Sequence, residues 1–362
     1  MAIDKITTAS ITDANITTAK LAYDAAPFRN IIINGDMSLA QRATSVSGVG
    51  NGDSGYHTCD RWKFFELGAG TGEFTQSQST DVPTGQGFAT SLKMDCTTAD
   101  ASLAAADVMW IQQIVEAQNL QYIKKGTSSA ESLTLSFWVY ATKTGTNICE
   151  LYDENNRQVS KSYTISSSNT WEKKTITFPA DTSGALGNDN GIGMYVNFFL
   201  LAGSNYTSGT LSETWTSATA ANRGVGQVNH ADNTSNNFYI TGVQLEAGTT
   251  ASDFEFLPVD VNLQRCQRYF ELLIGSRSQY SRYSSVTYVN PFFFKVTKRA
   301  NPTISKTEAT FTMFYNNGYD TGVTWNSDIM SVDQVTIYMS STRDYGFIGP
   351  DESKPFKADS EL

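Results

Sequence analysis

The stretch that decides the fold is Asn237–Phe270, NFYITGVQLEAGTTASDFEFLPVDVNLQRCQRYF. Its first part alternates. Phe238 and Ile240, then Val243 and Leu245 beyond Gly242, fall on one side with polar residues between them, the period of a half-buried strand. Gly242 breaks the alternation, and a glycine inside a strand marks a bulge that resets which side chains face the core. Gly248-Thr249-Thr250 interrupts the strand, Asp253–Phe256 closes it and Pro258 stops it; a fresh apolar-aromatic pattern follows. The stretch therefore reads as the last strand of one β-domain, a short joint, and the start of a second domain.

Working back from it, Phe28–Ile33 reads as an apolar strand before the turn signal Asn34-Gly35-Asp36. Asp60–Phe65, Leu92–Asp95, Asp107–Val115, Leu133–Tyr140, Ser162–Ser166, Trp171–Phe178 and Gly193–Leu201 continue the series, although Asp107–Asn119 also suits a helix. About nine short strands with Gly/Ser/Thr/Asn turns imply a β-sandwich or jelly roll. Residues 204–236, rich in Ser, Thr, Ala and Asn, read as a long loop, and long loops are commonly binding surfaces or mobile insertions. Beyond Val259, Asn262–Ile274 reads as a strand or short helix, and Tyr288–Val296, Phe311–Tyr315, Val323–Asn326 and Val335–Ser340 as strands. The expected organisation is all-β: residues 1–26 a repeat-containing N-terminal segment, 27–258 a jelly-roll sandwich, 259–362 a smaller C-terminal β-domain.

Residues 2–26 repeat with a period of five. Ile6, Ile11, Ile16 and Leu21 recur strictly, with Ala9, Ala14 and Ala19 two places before the next apolar residue. That period fits neither a helix nor a strand. About 25 residues cannot bury such a row alone, so chain association or docking on a partner is expected to order it.

Composition narrows the function. Charged residues are 17% of the 362, aromatic residues 12%, and the net charge is −10. No basic footprint for nucleic acid is present. Cys59, Cys96, Cys149 and Cys266 form no CxxC pair, and His57 and His230 are the only histidines. A zinc site is not expected, and each cysteine reads as a small buried hydrophobe. No signal-like N-terminus and no run of membrane-spanning length is seen, so synthesis in a cytoplasm without membrane insertion is expected. The glycine-rich loops at Gly68–Gly72 and Gly184–Gly193 lack a following Lys-Ser/Thr, which argues against a phosphate cradle. For glycoside hydrolysis, Asp95 with Asp100, Glu150 with Asp153, or Asp181 with Asp189 are the available carboxylate pairs, and they read as surface loop carboxylates.

Sugar binding needs aromatic rings with a few placed polar groups. Trp62, Trp138 and Trp171 lie in strand patterns and read as core. Tyr206 and Trp215, in the polar 204–236 loop, either pack the loop down or face a ligand or a neighbouring subunit. The C-terminal region holds eight of the seventeen tyrosines. Among them Tyr280, Tyr283, Tyr288, Tyr315 and Tyr319 suit a binding tip or equally a trimer interface.

An ordered motif series covers most of residues 28–258: Asn30-Ile31-Ile32-Ile33-Asn34-Gly35-Asp36-Met37 with Gln41–Thr44, Tyr56 with Asp60-Arg61-Trp62, Ser136–Tyr140, Thr170–Lys174 and Phe238–Gly248. The series resembles bacteriophage tail-fibre and related receptor-binding proteins. Arg265–Phe270, Lys298–Thr303 and Ala358–Leu362 resemble that family's C-terminal module, and the pentads its N-terminal segments. The resemblance implies a jelly roll similar to carbohydrate-binding modules on a homotrimeric virion fibre. Such a fibre would be anchored to other virion proteins through residues 1–26 and would bind host cell-surface glycans without catalysis. A structural capsid fibre or decoration protein is the alternative, and a polysaccharide depolymerase the third reading. The resemblance also implies that the Asn34-Gly35-Asp36 turn lies beside the final strand, where related modules hold structural calcium. Here Ile240-Thr241-Gly242-Val243 lacks the acidic residue often found there, which counts against a metal at Asp36. No other cofactor is expected.

Overall fold

Two antiparallel sheets close over one apolar core. The computed structural model describes residues 28–273, 281–284, 287–305, 310–315, 318–328, 330–340, 347–348 and 356–362, and the side chains of 274–291, 306–326, 328–329 and 338–355 are not described. The pentad residues Ile6, Ile11, Ile16 and Leu21 lie outside the described residues.

The sandwich is built from β1 (Ser45–Gly50), β2 (Gly55–Tyr56), β3 (Lys63–Leu67), β4 (Glu73–Ser79), β5 (Ser91–Thr98), β6 (Val108–Glu116) and β7 (Leu133–Ala141). It continues through β8 (Gly145–Asp153), β9 (Arg157–Ile165), β10 (Glu172–Phe178), β11 (Ile192–Ala202), β12 (Thr216–Ser217) and β13 (Asn237–Ala247). Sheet one runs β1-β4-β5-β13-β7-β10 and sheet two β12-β9-β8-β11-β6-β3-β2. Neighbours far apart in sequence, such as β5 and β13, give the crossed connectivity of a jelly roll rather than a meander.

Alternation places the core. Leu133, Leu135, Phe137 and Val139 of β7 point inward, where they meet Phe198 of β11 and Phe238 of β13. Each such side chain contributes about 1.5–3 kcal/mol by leaving water. Cys59, Cys96, Cys149 and Cys266 are all buried and unbridged, as expected of small hydrophobes.

The bulge read at Gly242 is present. The β13–β7 register slips between Thr241 and Gln244, and Gly242 has φ +60°. A Cβ there would stand 2.5 Å from the Phe88 ring, so only glycine fits. The slip keeps Phe238, Ile240, Val243 and Leu245 on the core side. The turn at Asn34–Asp36 fills the opened gap: Val243 N donates to Gly35 O at 2.9 Å, and Ile31 N to Leu245 O at 2.9 Å.

Two expectations are corrected beside it. Phe28–Ile33 is not a strand, because Asn30 satisfies the β13 backbone with its side chain, accepting from Leu245 N (3.1 Å) and donating to Val243 O (3.2 Å). Residues 253–256 do not close β13. They fold back over it, with Gln244 Nε2 donating to Asp253 O (3.2 Å) and Glu255 N donating to Gln244 Oε1 (2.9 Å).

A one-turn helix α1 (Ser204–Thr207) lies in the long loop, and α2 (Val259–Gln267) opens the C-terminal region, the helical alternative for Asn262–Ile274. There follow β14 (Phe270–Leu273), β15 (Ser281–Ser284), β16 (Thr287–Phe293), β17 (Thr303–Ser305) and β18 (Thr310–Tyr315). Then come β19 (Gly318–Asp328), β20 (Gln334–Ser340), β21 (Phe347–Ile348) and β22 (Phe356–Asp359). They form the sheets β14-β22-β17 and β15-β16-β20-β19-β18-β21 over a small core of Leu273, Val335, Ile337, Phe356 and Ala358.

This region is locked to the sandwich by buried charges. Arg268 grips Glu116 through two bonds of 2.8 Å. Arg61, buried with φ +72°, lies over the Tyr269 ring at 3.5 Å and pairs with Glu361. Arg42 lies over Phe270 at 3.7 Å and pairs with Asp359 at 2.9 Å. Among the described residues no helix is long and apolar enough to cross a membrane.

Candidate functional site

The outer faces of the two sheets differ. That of sheet two is covered. At one end residues 203–230 lie on it: Tyr206 and Leu211 pack with Trp110, Ile148 and Phe199, and Arg223 grips Glu150 through bonds of 2.7 and 2.6 Å. At the other end sits α2, held by Arg268 and Glu116. The long loop is therefore a cover for sheet two.

Of the two loop aromatics, Tyr206 takes part in this cover, while Trp215 packs against the core between the sheets. Tyr206 is 8% exposed. Trp215 packs against the main core, donates Nε1 to Pro179 O at 2.9 Å and carries Lys125 Nζ 4.8 Å from its ring. The sequence reading left open whether they pack the loop down or face outward, and the contacts are of the first kind. The backbones of Tyr283, Tyr315 and Tyr319 lie in β15, β18 and β19, while their side chains, and the whole of Tyr280, lie outside the described residues.

Among the described residues, sheet one is covered at the end where residues 252–256 fold back. At its other end, outward positions of four adjacent strands line up in one row. Tyr239 of β13 stands opposite Lys93 of β5 on one side and Tyr140 of β7 on the other. Trp171, just before β10, completes the row with its ring 5.7 Å from Tyr140 and 6.1 Å from Tyr239. Tyr140 and Tyr239 meet edge to face at 4.9 Å. Each such pair adds about 0.5–1.5 kcal/mol beyond the area it buries. Trp138, two residues before Tyr140, faces the same way beside Lys173 and Thr241.

With strands about 4.8 Å apart, four of them span roughly 14 Å, the length of a short oligosaccharide. Tyr239 is the floor, 8% exposed, while Tyr140, Trp138 and Trp171 are half-buried. Burial raises the pKa of the Tyr239 hydroxyl, with Lys93 pulling against it.

Polar groups border the rings. Asp95 and Asn237 form the next pair along β5 and β13, and the Asn237 Oδ1 atom has no hydrogen-bond partner among the described residues. Lys93 Nζ lies 3.3 Å from Asp95 Oδ2. Tyr140 donates its hydroxyl to Asn169 Oδ1 at 3.2 Å. The platform thus offers aromatic faces with donors and acceptors at the rim.

Reading Trp138 and Trp171 as core is corrected here. Phe137 and Val139 take the inward positions of β7, so strand alternation sends Trp138 and Tyr140 outward. Trp62 is core, as expected. The signal was in Ser136–Tyr140, where aromatics occupy both parities of one strand.

Asp36, where the sequence counts against a metal, accepts from Ser38 Oγ at 3.0 Å and from Asn262 Nδ2 at 3.4 Å. In place of an acidic residue on β13, the Thr241 hydroxyl donates to Thr90 O at 2.8 Å, with Asp36 O 3.4 Å away. Among the described residues, no three His, Cys, Asp or Glu side chains gather.

The paired carboxylates considered for hydrolysis are engaged elsewhere. Glu150 is held by Arg223, and Asp153 by Lys125. Asp181 accepts two bonds from Arg157 (2.7 and 2.8 Å). Its burial raises its pKa, but Arg157 and Lys125 outweigh that and hold it below the usual carboxylate range. Asp95 pairs with Lys93, and Asp100 and Asp189 cap backbone N–H groups.

No family model matches the chain, and no curated protein matches it. Among solved structures it is similar to the enzymatically active domain of bacteriophage CBA120 tailspike protein 4 (16% identity, TM-score 0.32), covering 61% of this chain and 22% of that one. It is also similar to TmCBM61 in complex with β-1,4-galactotriose (11% identity, TM-score 0.29; 60% of this chain, 99% of that one). A third is the family 11 carbohydrate-binding module of Clostridium thermocellum (10% identity, TM-score 0.27; 58% and 99%). At such identities and scores none of them bears on what this chain does.

Proposed function

We propose that the protein is a non-catalytic, glycan-binding fibre protein of a phage virion, working as a homotrimer. One observation carries the binding: the row Lys93–Tyr239–Tyr140–Trp171, with Trp138 beside it, lies on the open half of sheet one while sheet two is covered. Aromatic faces stack on the apolar faces of sugar rings, and Asn237 and Asp95 accept from hydroxyls at the rim. The sheet fixes the rings beforehand, so little side-chain entropy is lost on binding.

The virion and trimer parts rest on the motif series and the pentads of the sequence. Three copies on one fibre would turn weak single sites into high avidity. The engagement of each candidate carboxylate with a cation or a backbone N–H supports the non-catalytic reading.

A glycan array probed with the wild-type chain and Trp171→Ala tests the binding. Incubation with a bound polysaccharide tests catalysis, since release of reducing ends would establish a depolymerase. Mass in solution tests the trimer.

A further inference from the structure

A second candidate site shares no residue with the aromatic row. A groove of about 610 Å³ lies where residues 28–33, the 3-10 turn Ala117–Ile123 and α2 meet. Phe28 and Tyr122 stand on its walls, 55% and 47% exposed, Gln118 and Asn119 on its rim, and Arg265 within it.

Arg265 is set apart because no carboxylate among the described residues forms an ion pair with it. Every other arginine with a described side chain faces a carboxylate within 3.7 Å or, for Arg299, donates to three backbone carbonyls. Among the described residues Arg265 makes a single bond, Nη2 to Asn30 O at 3.3 Å. Arg268, in the same groove, is neutralised by Glu116. Glu255, which also acts on Arg265, is committed to the N–H groups of Phe28 (2.7 Å) and Asn30 (3.0 Å). A guanidinium has five donors in a planar fork that fits a carboxylate with two parallel bonds.

We infer that this groove binds a carboxylate-bearing saccharide, with Arg265 taking the acid group, Tyr122 and Phe28 packing on the ring, and Gln118 and Asn119 meeting hydroxyls. The site is independent of the row on sheet one and would give each chain two unlike sugar contacts.

The test is calorimetric titration of the full chain with trigalacturonate, with neutral galactotriose and inorganic phosphate as controls. Trigalacturonate should bind and the two controls should not. Arg265→Gln should weaken binding at least about tenfold, the scale of a charge-assisted bond. Tyr122→Ala, at a position 47% exposed, should weaken it severalfold, and Trp171→Ala should leave it unchanged. Absence of trigalacturonate binding, equal binding of galactotriose or phosphate, or indifference to Tyr122→Ala would overturn the inference. Loss of binding in Trp171→Ala would do the same, by moving the ligand to sheet one.

Discussion

Trp171, at the edge of sheet one, is tied to Asp81, its Nε1 donating to Asp81 Oδ1 at 3.0 Å. That bond joins the start of β10 to the loop after β4 and ties the tryptophan beside Tyr239 and Tyr140. A second clamp sits below it, where Glu172 Oε1 accepts from Ser166 N and Ser167 N, each at 2.8 Å. A large ring at a sheet edge is thereby held in one orientation before any ligand arrives.

Asp81→Ala should release that ring. Glycan affinity is expected to fall severalfold, with a shift in tryptophan fluorescence, while unfolding stability changes by no more than about 1 kcal/mol, the net worth of one exposed hydrogen bond. Titration and urea melts of the same sample separate the two effects.

Gly242→Ala should destabilise the sandwich by about 2 kcal/mol or more. It places a side chain at φ +60° and drives Cβ into Phe88. Urea denaturation at constant m-value is the measurement.

Arg61→Ala should cost about 1–3 kcal/mol, because the buried Glu361 carboxylate then keeps only Arg42, at 3.4 Å, as its partner. A shift of both the sandwich and the C-terminal strands to lower urea concentration would show that the joint couples them. Independent unfolding with an unchanged midpoint would contradict it.

His230 gives a pH dependence. Burial, aided by Lys143 and opposed by Asp232, holds its pKa down to about 3, and its Nε2 lies 2.7 Å from Asn147 Oδ1. In the unfolded chain it titrates near 6.5. As pH falls below about 6.5 the unfolded state takes the proton first, so stability is lost at up to about 1.4 kcal/mol per pH unit, levelling off near pH 3. His230→Gln should flatten that slope between pH 6.5 and 5 in urea melts.

Much of the fold was legible because strand alternation is a local signal. Leu133–Tyr140 and Phe238–Leu245 showed it plainly, and the bulge at Gly242 followed from one glycine at the wrong parity. Phe28–Ile33 was misread because its run of isoleucines is buried by a loop whose hydrogen bonds come from the Asn30 side chain, which no periodicity reports. β1 and β4 have few apolar residues and were missed, as was β8, whose Ile148, Cys149 and Leu151 do not keep a strict alternation.

The site was less legible than the fold. Trp171, Tyr140, Tyr239 and Lys93 come from four separate segments, and only the pairing of β5, β13, β7 and β10 brings them into one row. Tyr206 and Trp215 drew notice because their loop is polar, yet the surface that this loop covers is itself aromatic. Motifs at the two ends of the series, Asn34–Asp36 and Ala358–Leu362, turned out to form the joint.

The most direct test of the central claim is titration of the full chain, wild type and Trp138→Ala/Trp171→Ala, with the glycan that an array selects. Binding by the wild type and loss of at least about tenfold in affinity by the folded double variant is the predicted result, in line with the ~1–3 kcal/mol scale of losing a packed ring or two. Equal affinity in the two proteins would contradict it and place the glycan elsewhere on the chain.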